Sequence, residues 1–498
     1  MTDAAAPARL VVVIVWDGLR PDFVEPAVTP CLHALATGGV WFEASHCAYP
    51  SETRVNAAAL ATGCYPGRTG ITGNTIYVPG FDSAAPARTV NTGDHTHLDR
   101  LAALDPPLVR VPCAADAIAA AGGVTIVASS GSPGAALLQN PRPDGITLNH
   151  ALLRPPAVAE RVLAAFGPAP PDSRPATARS DWMTRGLLDC LFPDVVAPAV
   201  RTGRPALVHW WLTDPDHTAH HAGLGAPETV QSLRENDRRL AAFQARLADL
   251  GLSEHTDVLL TADHGFSTAG PPRGFDRALV AAGLRGGPDT DDIVTTGQGG
   301  GAIYLHERTR RRAPEIVRWL QQQPWIGPVF ARDGGPADGV DGTLSLSAVW
   351  NGRVGPRAPD IRFSAGWTAA ANAAGVPGTV LAGTGRGASH GSASPYDMRN
   401  SLFAWGPRFK RALRSPVPAG IVDVAPTVRA LLGLPQAPAD GRVLAEALLA
   451  GPAPSDVPVA SETHDAAAYW PGGGYCQRIR LARVGATTYL ARSETTHL

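Results

Sequence analysis

Lysine is almost missing from this 498-residue chain: Lys410 stands alone beside 42 arginines. Basic side chains barely fail to match acidic ones, 43 against 44, for a formal net charge of −1. So neutral a balance leaves no electrostatic footprint for a nucleic-acid backbone. Cysteine is scarce, and Cys31, Cys47, Cys64, Cys113, Cys190 and Cys476 include no C-x-x-C pair. That spacing argues against a zinc finger, a dithiol redox motif and a disulfide scaffold. Long apolar runs are absent too. Leu10 to Trp16 meets Asp17 with no small-residue cleavage site behind it, so it reads as a buried strand rather than a secretion signal. Ala117 to Gln139 is interrupted by Gly122, Gly123, Gly131, Pro133 and Gly134 and does not read as a membrane span. The expectation is a cytoplasmic, reduced protein with neither membrane nor nucleic acid as partner. Its oligomeric state is unknown.

What is present is a globular composition, 44% hydrophobic, with β-rich apolar runs alternating with helical patterns. Leu10 to Trp16, Gly39 to Ala48, Val124 to Ala128, Ala206 to Leu212 and Val258 to Thr261 read as strands. Thr29-Pro30 opens a helix to about Gly38, and Pro227 to Leu250 reads as a long amphipathic one. The fold class expected is α/β, a doubly wound, mostly parallel sheet with helices on both faces. Residues 1–269 and 385–498 would form the core, and residues 270–384 an inserted cap subdomain with a strand at Ala302 to His306 and a helix near 313–323. Residues 77–110 read as an excursion over the sheet edge. The last 45 or so residues read as irregular, with short strand-like pieces at Ile479 to Val484 and Thr488 to Ala491.

Chemistry-bearing residues gather just after these strands, where open α/β sheets collect ligands. Asp17 closes the first strand. Asp216 and His220 lie one helical turn apart after Leu212, Asp263-His264-Gly265 follows Thr261, and His390 sits in Ser389-His390-Gly391. Three carboxylates and three imidazoles can make two mixed oxygen and nitrogen sites, which suits two Zn²⁺ best, with Mn²⁺ or Fe as alternatives. Thr53, in Tyr49-Pro50-Ser51-Glu52-Thr53-Arg54-Val55-Asn56, precedes a small-residue helix. A hydroxyl there is well placed to attack phosphorus, and Asn56 one turn on could offer its amide to a phosphoryl oxygen. Taken singly, each has a plainer reading: Thr53 and Asn56 as a helix cap, Asp216 and His220 as a surface turn, Asp263 to Gly265 as a strand exit, His217 and His221 as bystanders.

Together the segments Asp17-Gly18, Thr53-x-x-Asn56 with Thr62-Gly63-x-Tyr65-Pro66, Pro215-Asp216-x-x-x-His220, Asp263-His264-Gly265 and His390-Gly391 resemble the two-metal core of the alkaline phosphatase superfamily. They are most similar to its nucleotide pyrophosphatase/phosphodiesterase branch. The likeness extends to Asp423-Val424-Ala425-Pro426-Thr427, which resembles the final core helix. The resemblance implies Asp17, Thr53, Asp263 and His264 at one metal and Asp216, His220 and His390 at the other. It makes Thr53 the nucleophile and Asn56 the phosphate-holding amide. The sequence departs from the pattern at Arg54, Val55 and Ala57, where these phosphodiesterases usually carry an aromatic residue, a proline and a histidine.

The reaction implied is two-metal hydrolysis of a phosphodiester, nucleotide pyrophosphates included, through a phosphothreonine, on a small-molecule substrate. Sulfatases need Cys or Ser where Thr53 stands. A phosphomonoesterase of the alkaline phosphatase type would use Ser and normally an extra cation clamp, neither of which is evident in the sequence. The alternatives are a phosphonate hydrolase of the same superfamily, acting on a phosphonoacetate-like substrate, and a metal-stabilised binding protein without catalysis. Arg308 and Arg310 to Arg312 read as a solvated helix start, Gly297 to Gly301 as a turn, and Trp210, Trp211 and Trp367 as core rather than base-stacking residues.

Overall fold

The computed structural model describes residues 10–81, 89–287, 292–297, 300–385 and 387–498. Its centre is a nine-stranded sheet in the order Leu413–Ser415, Val40–Phe42, Leu402–Trp405, Thr256–Thr261, Leu10–Trp16, Ala206–Leu212, Val124–Ser129, Ile146–Asn149 and Leu152–Arg154. Leu10–Trp16 runs parallel to both neighbours, Ala206–Leu212 and Thr256–Thr261. Flanked on both edges and covered on both faces, it has to be apolar throughout, and every one of its residues is buried.

Strand alternation then divides those side chains between two cores. Val11, Val13 and Val15 join Leu207, Trp211 and Leu259 beneath the helix Thr53–Thr62. Leu10, Val12, Ile14 and Trp16 join Val208, Trp210 and Leu260 with Leu233, Leu240 and Phe243 of the helix Pro227–Asp249. Each such aliphatic side chain contributes about 1.5–3 kcal/mol. Thr53–Thr62 is rich in alanine because it is buried almost throughout, and Gly63 ends it at φ 75°, where a Cβ would lie 2.8 Å from Pro426 Cδ. That contact sets it against the helix Val424–Leu431.

Helices Pro30–Gly38, Asp216–Ala222 and Ala313–Gln321 fall where the sequence places them. Gly39 to Ala48 instead splits into Val40–Phe42 and Ser45–His46. A five-stranded sheet, in the order Ile293–Thr296, Gly300–Leu305, Ile361–Ala365, Ile326–Ala331 and Leu344–Ser345, reaches the turn before Thr53 through Arg362, which bonds Glu52. Of the Gly297 to Gly301 turn, Gln298 and Gly299 lie outside the described residues, as do residues 82–88 of the 77–110 excursion.

The C-terminal segment is not irregular. Val459–Trp470, Gly473–Val484 and Thr487–His497 form a three-stranded antiparallel sheet. Tyr475, Ile479 and Leu481 are buried on one face of the middle strand, and Gln477 among them bonds the Val329 N–H, the Val329 carbonyl and the Gly342 carbonyl. A polar residue on the inner face and a mostly exposed first strand hide the period-two signal.

Candidate active site

Parallel register brings the ends of Leu10–Trp16, Ala206–Leu212 and Thr256–Thr261 to one edge of the sheet. Asp17 leaves the first directly, and its Oδ2 accepts from Trp211 Nε1 at 3.0 Å. Asp263 follows the third, and its Oδ1 accepts from the Gly18 N–H at 3.1 Å. Asp216 opens the helix Asp216–Ala222, which Asp214 anchors by accepting from the Thr218 N–H and Oγ1 and from the Ala176 N–H.

The three histidines are oriented alike. His220 Nδ1 lies 3.0 Å from the Ala388 carbonyl, His264 Nδ1 2.9 Å from the Gly265 carbonyl, and His390 Nδ1 2.7 Å from the Ser51 carbonyl. Each Nδ1 therefore carries the proton, and each Nε2 lone pair is left to face the cluster. His264 Nε2 is 3.2 Å from Asp263 Oδ2, 3.5 Å from Asp17 Oδ1 and 3.9 Å from Asp216 Oδ1. Asp216 Oδ1 is also 3.4 Å from His390 Nε2 and 3.3 Å from His220 Nε2. Two convergent donor sets result, Asp17 with Asp263 and His264, and Asp216 with His264 and His390. His264 stands between them, and His220 reaches the second through Asp216.

Charge explains why so compact an arrangement suits a cation. Burial lifts Asp17 well above the ordinary carboxylate range, and Asp263 and Asp216 lift it further. Asp263 is raised by burial as well. Burial would raise Asp216 too, but the imidazole of His220, which the same carboxylate draws toward its protonated form, holds it low. Burial, reinforced by His264, keeps His390 well below its ordinary value and so neutral. Asp17 Oδ1, Asp216 Oδ1 and Asp263 Oδ2 accept no hydrogen bond among the described residues. A tetrahedral site with bonds of about 2.0–2.1 Å spaces its donors roughly 3.3 Å apart. Orphaned oxygens, inward Nε2 atoms and these separations fit divalent metal ions.

Thr53 is the first residue of its helix, buried, with Oγ1 3.4 Å from His264 Nε2. Behind it, the Glu52 carboxylate accepts from Arg362 Nη2 at 2.6 Å and from the Asn74 N–H. The Asn74 side chain returns the contact, its Oδ1 accepting from the Arg54 N–H at 3.0 Å.

Asn56 departs from the expectation. Its Oδ1 accepts from the Ala48 N–H at 2.7 Å, its Nδ2 donates to the Glu52 and Ala48 carbonyls, and its exposure is 0%. The amide is spent fixing the chain that enters the helix, so it has nothing to offer a phosphoryl oxygen. Asn74 is the candidate that sequence reading missed: its Nδ2 makes no hydrogen bond among the described residues. An Asn between Gly73 and a short strand was the only available sign. Trp211, read as core, also holds Asp17. His217 lies 3.3 Å from Asp172 and is not among the clustered donors.

Known proteins share this fold. Human ectonucleotide pyrophosphatase/phosphodiesterase 5 superposes with a TM-score of 0.60 at 17% identity, over 88% of this chain and 100% of that one. An inactive variant of the murine protein in complex with AMP gives 0.59 at 17% identity, over 86% and 96%. At that identity the likeness is one of fold. No curated protein sequence matches the chain. The family profile of type I phosphodiesterase/nucleotide pyrophosphatase, however, matches residues 11–367, and the chain belongs to that family of phosphoric ester hydrolases.

Proposed function

We propose that the chain hydrolyses phosphodiester bonds, nucleotide pyrophosphates included, with Thr53 Oγ1 as nucleophile. The observation that carries this reading is the Thr53 hydroxyl at a buried helix N-terminus, 3.4 Å from His264 Nε2 in a cluster of three carboxylates and three imidazoles. Asp17, Thr53, Asp263 and His264 would hold one divalent ion and Asp216, His220 and His390 a second, Zn²⁺ suiting the mixed donors best. Bound there, such ions supply Lewis-acid charge to the attacking hydroxyl and the phosphoryl oxygens.

The protein's own part starts with position. The helix start points its dipole at the phosphoryl group, and Asn74 Nδ2 donates to a non-bridging oxygen as negative charge builds. Thr53 Oγ1 attacks in line: its bond to phosphorus forms, the ester oxygen leaves with the bonding pair, and a proton reaches that oxygen. Water then attacks phosphorus, the Thr53 Oγ1–phosphorus bond breaks, Thr53 regains a proton, and a phosphomonoester departs. Two inversions give retention at phosphorus. The test is turnover of bis-p-nitrophenyl phosphate, p-nitrophenyl phosphate and phosphonoacetate by Zn²⁺-loaded wild type and Thr53→Ala. Diester turnover that vanishes in the variant supports the reading. Equal rates in both proteins remove Thr53 from the chemistry, and phosphonoacetate turnover alone overturns the diester assignment.

A further inference from the structure

Arg54, next in the chain to the proposed nucleophile, carries a guanidinium with no bonding partner among the described residues. Its side chain makes no hydrogen bond and no ion pair among the described residues, and its Nε is buried without an acceptor. A half-buried arginine in this state is unusual, because five donors are ordinarily satisfied when water is withdrawn. The acid closest in sequence, Glu52, is committed to Arg362 and to the Asn74 N–H. Asp17, Asp216 and Asp263 are within Coulombic reach of the guanidinium but belong to the donor cluster. The charge of Arg54 is thus held at the edge of the site and left unspent.

Its place is built rather than incidental. A Cβ on Gly93 would lie 2.6 Å from Arg54 Nη2 and 3.1 Å from Nε, so the guanidinium rests on a bare Cα that any other residue would fill. The backbone of Arg54 is pinned by its N–H to Asn74 Oδ1. The turn that presents the phosphoryl-facing amide therefore presents the cation beside it. A guanidinium is a planar fork of donors matched to phosphate and carboxylate oxygens.

From this geometry we infer that Arg54 receives a second anionic group of the substrate, next to the phosphoryl under attack. The inference rests on the reading given under Proposed function and narrows it: the preferred class is pyrophosphate-like, a nucleoside polyphosphate being the nearest example, over diesters with two uncharged ester groups.

The experiment compares kcat/KM for ATP and for bis-p-nitrophenyl phosphate in metal-loaded wild type, Arg54→Met, Arg54→Lys and Gly93→Ala. The ratio of ATP to diester should fall at least about tenfold in Arg54→Met, recover in part in Arg54→Lys, and fall in Gly93→Ala, which displaces the guanidinium while keeping its charge. Calorimetric binding of ATP to Thr53→Ala should weaken at least about tenfold when Arg54→Met is added, a readout independent of turnover. Should Arg54→Met not fold, Gly93→Ala decides, since Gly93 is not among the glycines at positive φ and alanine suits its backbone. A ratio that stays at the wild-type value in every folded variant overturns the inference and leaves the phosphodiesterase reading standing. A wild type that hydrolyses neither compound removes both.

Discussion

Asp257 and Asp263 stand at opposite ends of one central strand, Thr256–Thr261, and by burial they are indistinguishable, each 0% exposed. Their satisfaction is alike as well. Asp257 Oδ1 accepts from the Arg408 N–H at 3.1 Å and Asp263 Oδ1 from the Gly18 N–H at 3.1 Å, while the second oxygen of each accepts no hydrogen bond among the described residues. The difference lies in what faces the orphaned oxygen. At the amino end it is one arginine, Arg408 Nε at 4.0 Å. At the carboxyl end it is His264 Nε2 at 3.2 Å, with Asp17 and Asp216 around the same imidazole. Burial lifts Asp257 to about 6, so a proton can settle its charge. One proton cannot settle three carboxylates and three inward imidazoles. A lone buried acid is a cost to stability, and only convergence makes a site.

The largest effect should separate chemistry from the donor cluster. Thr53→Ala is expected to lower diester turnover by a thousandfold or more while keeping the rise in Tm on Zn²⁺ addition after chelation. Loss of that rise would make Thr53 chiefly a group that holds the metal, rather than the attacking one. Asp263→Asn should lower turnover by about a thousandfold and abolish the rise in Tm, which for wild type at a hundred times Kd corresponds to about 2.7 kcal/mol. Asp257→Asn should keep both, and an equal loss in the two variants would erase the contrast. His220, the outermost donor with a side chain 29% exposed, should cost less: His220→Ala is expected to reduce turnover by about a hundredfold, largely restored by raising Zn²⁺.

The smallest effect concerns pH. The folded value of Asp257 is raised from 3.8 to about 6, so between those limits the unfolded chain binds fewer protons at this residue. Its contribution is full below about pH 4 and is lost as pH rises to 6, by at most about 3 kcal/mol. The difference in unfolding free energy between wild type and Asp257→Asn should follow that slope and flatten above pH 6. A flat difference throughout would mean that Asp257 titrates in the fold as it does in the unfolded chain, so that burial does not favour its protonated form.

Much of this was legible in the chain. Asp17, Asp263 and His264 lie within three residues of a strand end, so period and position locate them without a tertiary map. Asp216 and His220 needed only one helical turn. Asn56 misled because a carboxamide one turn beyond a hydroxyl is equally suited to a ligand and to the backbone of Ala48 and Glu52, and sequence does not say which way it faces. Asn74 and Trp211 act through contacts made by folding alone, and Asp257 stands between Thr256 and Val258 with nothing around it to mark it. The C-terminal sheet was obscured by Gln477, whose inner position is tolerated only because Val329 and Gly342 supply its partners.

Arg362 lies on the middle strand of the five-stranded sheet, nearly fully buried, and its Nη2 meets Glu52, the residue that precedes Thr53. Breaking such a pair costs about 3–5 kcal/mol because the remaining charge is stranded. The outer sheet is therefore not an exchangeable lid. A graft that brought in a different outer sheet to change specificity would have to restore an arginine at that register, or the turn that aims Thr53 would lose its footing before any substrate arrived.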